Sequence, residues 1–329
     1  MAILVTGGAG YVGSHAVAWL RRAGHEVFVY DNLELGHAAA VPPGILIRGE
    51  LRDGLRLARV LRERGVDAVM HFAARALVGE SVADPALYYR ENVAATLTLL
   101  EAMRAAGVAK IVFSSSCATY GEPERMPIRE DTPQRPVNPY GRSKLAIEWA
   151  LRDYAAAYGI GYAALRYFNA CGAAPGGALG EHHAVEAHLI PLTLQVALGQ
   201  RDAITIHGDD YPTPDGTCIR DYVHVDDLAE AHLRALAKLA PGRGLELNLG
   251  TGRGVSVREV VESCRRVTGR AIPARVGPRR PGDPPELVAD PTRAREVLGF
   301  EPRYTVLDEI VATAWAWHSR HPQGFAGAG

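Results

Sequence analysis

Tyr140-Gly141-Arg142-Ser143-Lys144 sets a phenol and an ammonium four residues apart, a spacing that stacks the two on one face of a helix. A neighbouring ammonium favours the phenolate and draws a tyrosine down toward working pH, where it can take a proton as general base. Only three of the 36 basic residues are lysines, but with 13 tyrosines in the chain the spacing alone is a weak signal. Proton removal by such a pair calls for a hydride acceptor and a substrate elsewhere in the chain.

Thr6-Gly7-Gly8-Ala9-Gly10-Tyr11-Val12-Gly13 answers the first need. It follows a β-type run and opens a helical one. Glycines at 7, 10 and 13 allow a tight bend and close backbone approach to a pyrophosphate at the positive end of the helix. Asp31 ends the next β-type run, where a carboxylate can accept from a ribose hydroxyl and repel a 2′-phosphate. Neither Asn32 nor Leu33 offers a cation for such a phosphate. The cofactor expected is therefore NAD and not NADP.

The elements that must hold these residues follow from periodicity. Ile3–Val5, Val27–Tyr30, Ile45–Ile47, Ala68–Phe72, Ile111–Phe113 and Tyr162–Arg166 read as buried parallel strands. Between them, helical spacing predicts helices over Ala16–Ala23, Leu55–Arg64, Tyr88–Ala105 and from near Tyr140 to Tyr158. That alternation is the mark of a doubly wound α/β sheet of the Rossmann type, placed over residues 1–170, with later segments returning to it. Residues 171–329 carry Gly/Pro/His-rich loops and shorter elements, expected to form a smaller mixed α/β substrate lobe. Helices are predicted at Pro191–Leu198, Asp226–Ala237, Val257–Thr268 and Val306–His318, a strand at Leu245–Leu249, and a loose tail from Phe325.

Composition narrows the function classes. A net charge of −1 argues against nucleic acid or membrane surfaces as partners. No apolar run approaches the roughly 20 residues that span a bilayer. The chain enters a strand pattern at Met1, without a signal-peptide pattern, and its four cysteines are scattered without a CxxC pair. Both point to a cytoplasmic protein with reduced thiols. His182, His183 and His188 form one local cluster, read as surface loop and not as a metal site.

Longer motifs carry a more specific signal. TGGAGYVGSH (6–15), YDNL (30–33), HFAA (71–74), FSSSCATYG (113–121), NPYGRSK (138–144), LRYFNACGA (165–173), DYPTPDGTCIRDYVHVDDLA (210–229), NLGTG (248–252) and PRRPGD (278–283) appear in order. Together they resemble the nucleotide-sugar epimerases of the extended short-chain dehydrogenase/reductase family, over nearly the whole chain. That resemblance implies a tightly held NAD, reduced and reoxidised within one turnover. Tyr140 would take the proton of a sugar 4-hydroxyl as hydride leaves C4, and hydride would return to the other face of the 4-keto sugar. Lys144 would hold the nicotinamide ribose and Ser116 would bond the reacting oxygen.

The same resemblance assigns cofactor contacts to Gly7, Gly10, Tyr11, Val12, Gly13, Asp31, Asn32, Glu50, Leu51, Phe72, Ala73, Ala74, Asn92, Ser114 and Phe168, besides Tyr140 and Lys144. Glu50 stands where an aspartate is usual, and Ala76 where some members place a lysine. For a UDP-sugar, arginine forks match diphosphate oxygens, and Arg220 and Arg280 occupy the matching positions. Asp283 is implied as an acceptor for the uridine ribose, Asn169 as a donor near the diphosphate or sugar, and His188 with Leu189 as sugar neighbours. Thr205, Ile206 and His207 should flank the uracil. Leu287 is intermediate in bulk at the position that admits or excludes N-acetyl sugars. Relatives pair two helices per subunit, so a homodimer is implied.

UDP-glucose and UDP-galactose are the substrates the resemblance favours. UDP-N-acetylglucosamine, UDP-xylose/arabinose and UDP-glucuronate epimerisation are alternatives, and a non-catalytic NAD-binding regulator is the reading from another class. Dehydration needs a further acid–base pair after the serine-rich strand, and Cys117-Ala118-Thr119 carries no carboxylate.

Overall fold

The computed structural model describes residues 1–280 and 282–325. The chain opens with β1 (Ala2–Thr6), α1 (Tyr11–Arg22), β2 (Glu26–Asp31), β3 (Leu46–Arg48), α2 (Gly54–Glu63) and β4 (Ala68–His71). Then come α3 (Val78–Ala83), α4 (Pro85–Tyr88), α5 (Ala95–Ala106), β5 (Lys110–Ser116), α6 (Pro139–Tyr158) and β6 (Gly161–Tyr167). The second part holds β7 (Asn169–Cys171), α7 (Leu189–Ala197), β8 (Ile204–His207), β9 (Ile219–His224), α8 (Val225–Lys238) and β10 (Gly244–Leu249). It closes with β11 (Gly254–Ser256), α9 (Val257–Thr268), β12 (Ala274–Gly277), β13 (Glu286–Leu287), α10 (Thr292–Leu298) and α11 (Leu307–Arg320).

Seven parallel strands form the main sheet in the order β10-β6-β5-β4-β1-β2-β3. Side chains of a strand alternate between faces, and both faces here are covered, so the strands are apolar throughout. Along β1, Ile3 and Val5 pack with Val17 and Leu20 of α1 and Leu228 of α8. Ala2 and Leu4 pack on the opposite face with Leu57, Leu99, Met103, Ile147 and Leu151 of α2, α5 and α6. The expected doubly wound α/β sheet is present, with β10 arriving from residue 244 to extend it beyond β6.

Smaller sheets complete the molecule. In one, β9 pairs in parallel with β7 and β13 and antiparallel with β11; in the other, β8 pairs with β12. A separate core of Ile190, Leu194, Val260, Val261, Ile310 and Val311 joins α7, α9 and α11.

Two expectations change. The helix predicted over Tyr88–Ala105 is not continuous: Tyr89–Ala94 widens into a π-helical turn between α4 and α5. A π-turn adds one residue to the helical circuit, and here it turns the Asn92 amide inward, where it donates to Ser143 Oγ at 3.0 Å. The tail does not begin at Phe325, which is buried against Trp317 and Ala173; residues 326–329 lie outside the described residues.

A buried ionic group ties α6 to the sheet. Glu148 accepts from Ser115 Oγ of β5 at 2.6 Å and from the Arg166 guanidinium of β6 at 2.6 and 2.9 Å. Arg166 also donates to Tyr120 Oη at 2.9 Å and to Glu246 of β10 at 2.8 Å. Removing one partner of such a pair strands the other charge in a low dielectric. Arg166→Leu is expected to lower unfolding free energy by about 3–5 kcal/mol, measured by urea denaturation.

Candidate active site

The glycine turn shows why these positions lack side chains. Gly7 lies at φ +71°, and a Cβ there would sit 2.4 Å from Ala73 N. A Cβ on Gly13 would lie 2.2 Å from the Gly7 carbonyl, so this glycine lets α1 close onto the turn. At Gly10 a Cβ would meet only the Gly7 carbonyl, at 3.4 Å. Gly10 is also the N-cap of α1, with no side-chain cap and no acidic residue in the first turn. A helix start without a side-chain cap leaves amide donors available to a phosphate. The turn therefore fits a dinucleotide pyrophosphate.

Asp31 ends β2 with both carboxylate oxygens turned inward to the loops: Oδ2 accepts from Ala9 N at 3.0 Å and Oδ1 from Leu33 N at 2.9 Å. Burial pushes its carboxyl up, and these two amides hold it back down. Next to it, Asn32 Nδ2 donates to Glu50 Oε2 at 3.3 Å. Leu51, beyond it, is half-buried against the α2–α5 face of the sheet. Tyr11 Oη donates to the Gly172 carbonyl at 2.6 Å, binding the start of α1 to the second lobe. Val12 is half-buried beside it, and Phe72, Ala73 and Ala74 follow the C-terminal end of β4, also half-buried. Asn92 is fully buried and spends its amide on Arg75 N, Arg75 O and Ser143 Oγ. It braces the loop after β4 from beneath.

Tyr140 and Lys144 sit in the first turns of α6. Asn138 caps this helix, accepting from Gly141 N at 2.8 Å, and Pro139 opens it. A Cβ on Gly141 would lie 2.4 Å from the Ala118 carbonyl, so the glycine lets α6 press against the turn that follows β5. Lys144 is 3% exposed; its ammonium donates to the Ser114 carbonyl at 2.8 Å and lies 5.9 Å from the Tyr140 ring centroid. Ser114 Oγ and Tyr167 Oη share a 2.6 Å hydrogen bond. Ser116 is buried and caps the Cys117–Thr119 turn through Ala118 N at 3.1 Å.

The expected drop of the Tyr140 phenol under the influence of Lys144 is not what the chain's own residues produce. Burial pushes the phenol above its ordinary value and Tyr167 adds to this, while Ser116 works the other way. Burial also pushes the Lys144 ammonium down, to about 7, against the pull of Glu148. Sequence spacing reports proximity and says nothing of desolvation, which dominates here.

On the other side of the site, Arg220 of β9 pairs with Asp283 and donates to the Ile219 carbonyl at 2.7 Å. It pairs with neither Asp221 nor Asp226: Asp221 accepts from Thr251 N at 2.8 Å and Gly252 N at 3.0 Å, and Asp226 meets His15 at 2.9 Å. Arg280 and Asp283 line a surface pocket with Glu122, Tyr211, Arg279 and Pro284. In β8, Thr205 is exposed, Ile206 points into the core and His207 is half-buried near the Pro278 carbonyl at 3.4 Å. Leu287 lies opposite Arg220 and packs with Cys117, Phe168, Tyr120 and Ile128. Asn169 starts β7, half-buried, opposite Tyr222. His188 caps α7 and turns its ring to Glu181 at 2.5 Å, while Leu189 packs into the core of the second lobe.

Three residues around the site were not singled out from the sequence. Tyr167 ends β6 and reaches Ser114; only its place in the strand alternation hinted at it. Arg75 bridges Glu34 and Glu80, joining the loop after β2 to the segment before α4, with no local pattern to announce it. His71 takes a 2.7 Å bond with Thr6 Oγ1 and a 2.8 Å bond with Thr96 Oγ1. Burial, reinforced by Lys144, drops it to about 3.

This arrangement, a glycine turn facing the carboxyl ends of β1, β2, β4 and β5 with a Tyr/Lys pair beyond, belongs to a dinucleotide-dependent class of sugar enzymes. Residues 3–250 match the model of the NAD dependent epimerase/dehydratase family, and the chain belongs to that family. It is 53% identical over 327 residues to a UDP-glucose 4-epimerase of Halalkalibacterium halodurans, covering 99% of this chain and 98% of that one. It is 54% identical over 324 residues to a UDP-glucose 4-epimerase of Streptomyces lividans, covering 98% and 97%. Among solved structures, a UDP-glucose 4-epimerase from Brucella ovis in complex with NAD superposes with a TM-score of 0.92 at 52% identity, covering 95% of this chain and 97% of that one. No helix among the described residues is long and apolar enough to cross a membrane.

The phenol can be checked directly. Ultraviolet titration of protein stripped of dinucleotide, compared with Tyr140→Phe, should show the Tyr140 increment only above its ordinary value of 10.0. An increment complete below that value would restore the lowered phenol.

Proposed function

We propose that this protein interconverts UDP-glucose and UDP-galactose, using NAD held at the glycine turn and Tyr140 as the acid/base group. The observation that carries the reading is the convergence of Tyr140, Lys144 and Ser116 at the carboxyl end of β5, opposite the Gly7–Gly13 turn. Relatives bearing that activity by name match over nearly the full chain at 50–54% identity.

NAD, when bound, supplies a reversible two-electron acceptor and, in its oxidised form, a positive charge within the site. The protein's part is positional and protonic. Asp31, whose carboxylate oxygens already accept from Ala9 N and Leu33 N, would accept from the adenosine ribose hydroxyls as well. Gly10, Tyr11 and Val12 would offer the start of α1 to the pyrophosphate. Lys144, carried by the Ser114 carbonyl, would hold the ribose beside the reacting centre. Tyr140 would take the proton of the sugar 4-hydroxyl and return one to the same oxygen after the sugar has turned. Ser116 would hold that oxygen in line with the phenol. A phenol that the protein itself raises makes a strong base once ionised, and Ser116 and a positive surrounding are what would ionise it.

Arg220 and Asp283, paired with each other in this structure, would separate to take a diphosphate and a ribose hydroxyl respectively, with Arg280 as a second fork. Asn169, Thr205, His207 and the Leu189 end of α7 would complete the substrate's surroundings. We infer a cytoplasmic homodimer as well. Leu97 of α5 and Trp149 and Tyr158 of α6 are exposed, and a second copy is a natural cover for apolar surface on those helices.

Incubation with UDP-galactose should yield UDP-glucose, resolved by chromatography; no product from any UDP-hexose, with NAD still bound, would instead favour a non-catalytic sensor. Tyr140→Phe should lower kcat by about 10²–10⁴ while bound NAD stays at the wild-type amount. Leu287→Tyr should reduce turnover of UDP-N-acetylglucosamine relative to UDP-glucose, read as the ratio of kcat/KM values. Equal ratios in the two proteins would remove Leu287 from substrate selection.

A further inference from the structure

The histidine-rich loop between β7 and α7 is not plain surface. Glu181 is 3% exposed, and its neighbours in the chain fold back on it. Four donor atoms, one each from Glu181, His183, Glu186 and His188, lie within 4.8 Å of one another. Each imidazole presents the same nitrogen: His183 Nδ1 stands 3.5 Å from Glu181 and 3.4 Å from Glu186. His188 Nδ1 stands 2.5 Å from Glu181 and 3.5 Å from Glu186. The two carboxylate side chains, 3% and 4% exposed, sit side by side.

Two buried carboxylates need two positive charges between them. Two imidazolium ions would suffice, and His188 does meet Glu181 directly, but the other three nitrogen–oxygen contacts, at 3.5, 3.4 and 3.5 Å, are too long for hydrogen bonds and have the spacing of ligand atoms around a shared centre. Convergence of two nitrogens and two carboxylate oxygens on one centre is the donor set of a divalent cation of the zinc type. The groups behind the donors are also in place. Glu186 Oε1 accepts from the backbone amides of Ala187 and His188, each at 2.8 Å, which fixes the carboxylate. Trp317 Nε1 donates to the Glu181 carbonyl at 3.2 Å. A further nitrogen, His318 Nε2 on α11, is buried without a partner among the described residues.

We propose that Glu181, His183, Glu186 and His188 form a binding site for a zinc-type divalent cation that fastens the β7–α7 loop. The cation would be structural, closing a loop that leads to the N-terminus of α7 and adjoins Tyr11, whose ring meets His183 edge-on at 6.4 Å. The site does not depend on the reaction proposed above, although it takes up His188, which the resemblance set beside the sugar and which here turns its ring to Glu181. Protons compete for it. An imidazole must be neutral and a carboxylate ionised to bind a cation. Metal binding must displace those protons, so affinity should fall as pH falls.

Protein stripped by a chelator and titrated with Zn²⁺ against a chromophoric competitor should bind one ion per chain. Co²⁺ in its place should give the visible absorption of a tetrahedral site. Glu186→Gln and His188→Ala should each weaken Zn²⁺ binding by at least about tenfold. His182→Ala should leave it unchanged, since that ring stacks on His37 instead, with centroids 4.4 Å apart. Circular dichroism separates lost binding from lost folding, and the near-isosteric Glu186→Gln carries the test if His188→Ala does not fold. Zn²⁺ binding that is absent, or equal in Glu186→Gln and His182→Ala, would overturn the site and leave a pair of Glu–His ion pairs.

Discussion

The Tyr140/Lys144 side of the candidate active site hangs from Glu148. This carboxylate, fully buried on α6, is gripped by Ser115 of β5 and Arg166 of β6, so the helix cannot slide or rotate on the sheet without stranding a charge. One turn toward the amino end lies Lys144, and one further turn Tyr140. Their positions relative to Ser114 and Ser116 are therefore set by an ion pair that itself touches none of the reacting groups. Gly141 completes the constraint by letting the same helix press against the Ala118 carbonyl.

The opposite wall is set by backbone contact in place of charge. Gly7 and Gly13 bring the loop after β4, the first turn and α1 to distances that no side chain would permit. Leu33, beside them, is held at φ 64°, and is the one non-glycine at positive φ among the described residues. Such a conformation costs on the order of 1–3 kcal/mol and survives where its surroundings over-determine it. Here the Asp31 carboxylate does so, accepting from Leu33 N and Ala9 N together. One acidic residue thus shapes the loop that it would use to read a ribose.

Much of this was legible in the sequence because burial on two faces makes a parallel strand continuously apolar, and amphipathic spacing marks the helices between. The six first-half strands and the helix over Tyr140–Tyr158 follow from that pattern alone. The π-turn at Tyr89–Ala94 does not, since one extra residue in a helix leaves the apolar spacing nearly unchanged. The short helices α3 and α10 and the two- to four-residue strands of the second lobe are below the length at which a period can be read. In the site, residue identity and spacing are what single out Tyr140, Lys144, Asp31 and the glycines. They gave the wrong sign for the Tyr140 phenol, because desolvation is a property of packing. They also gave no sign that Glu181 gathers His183, Glu186 and His188, whose meeting depends on a loop folding back on itself.

The place of β10 in the main sheet has a consequence for how the chain is made. Its partner β6 ends at residue 167, yet β10 begins only at residue 244, and Glu246 is the second carboxylate on Arg166. A nascent chain that has emerged only as far as β6 therefore carries an open parallel edge and a half-paired buried cation. Roughly the whole of β7 to α8 must be synthesised before that edge is closed, and closing it demands contacts of long sequence separation, which form slowly. The two halves of the chain are thus one folding unit in time, even though they read as two textures along the sequence. Exposure to aggregation is greatest in the interval between them.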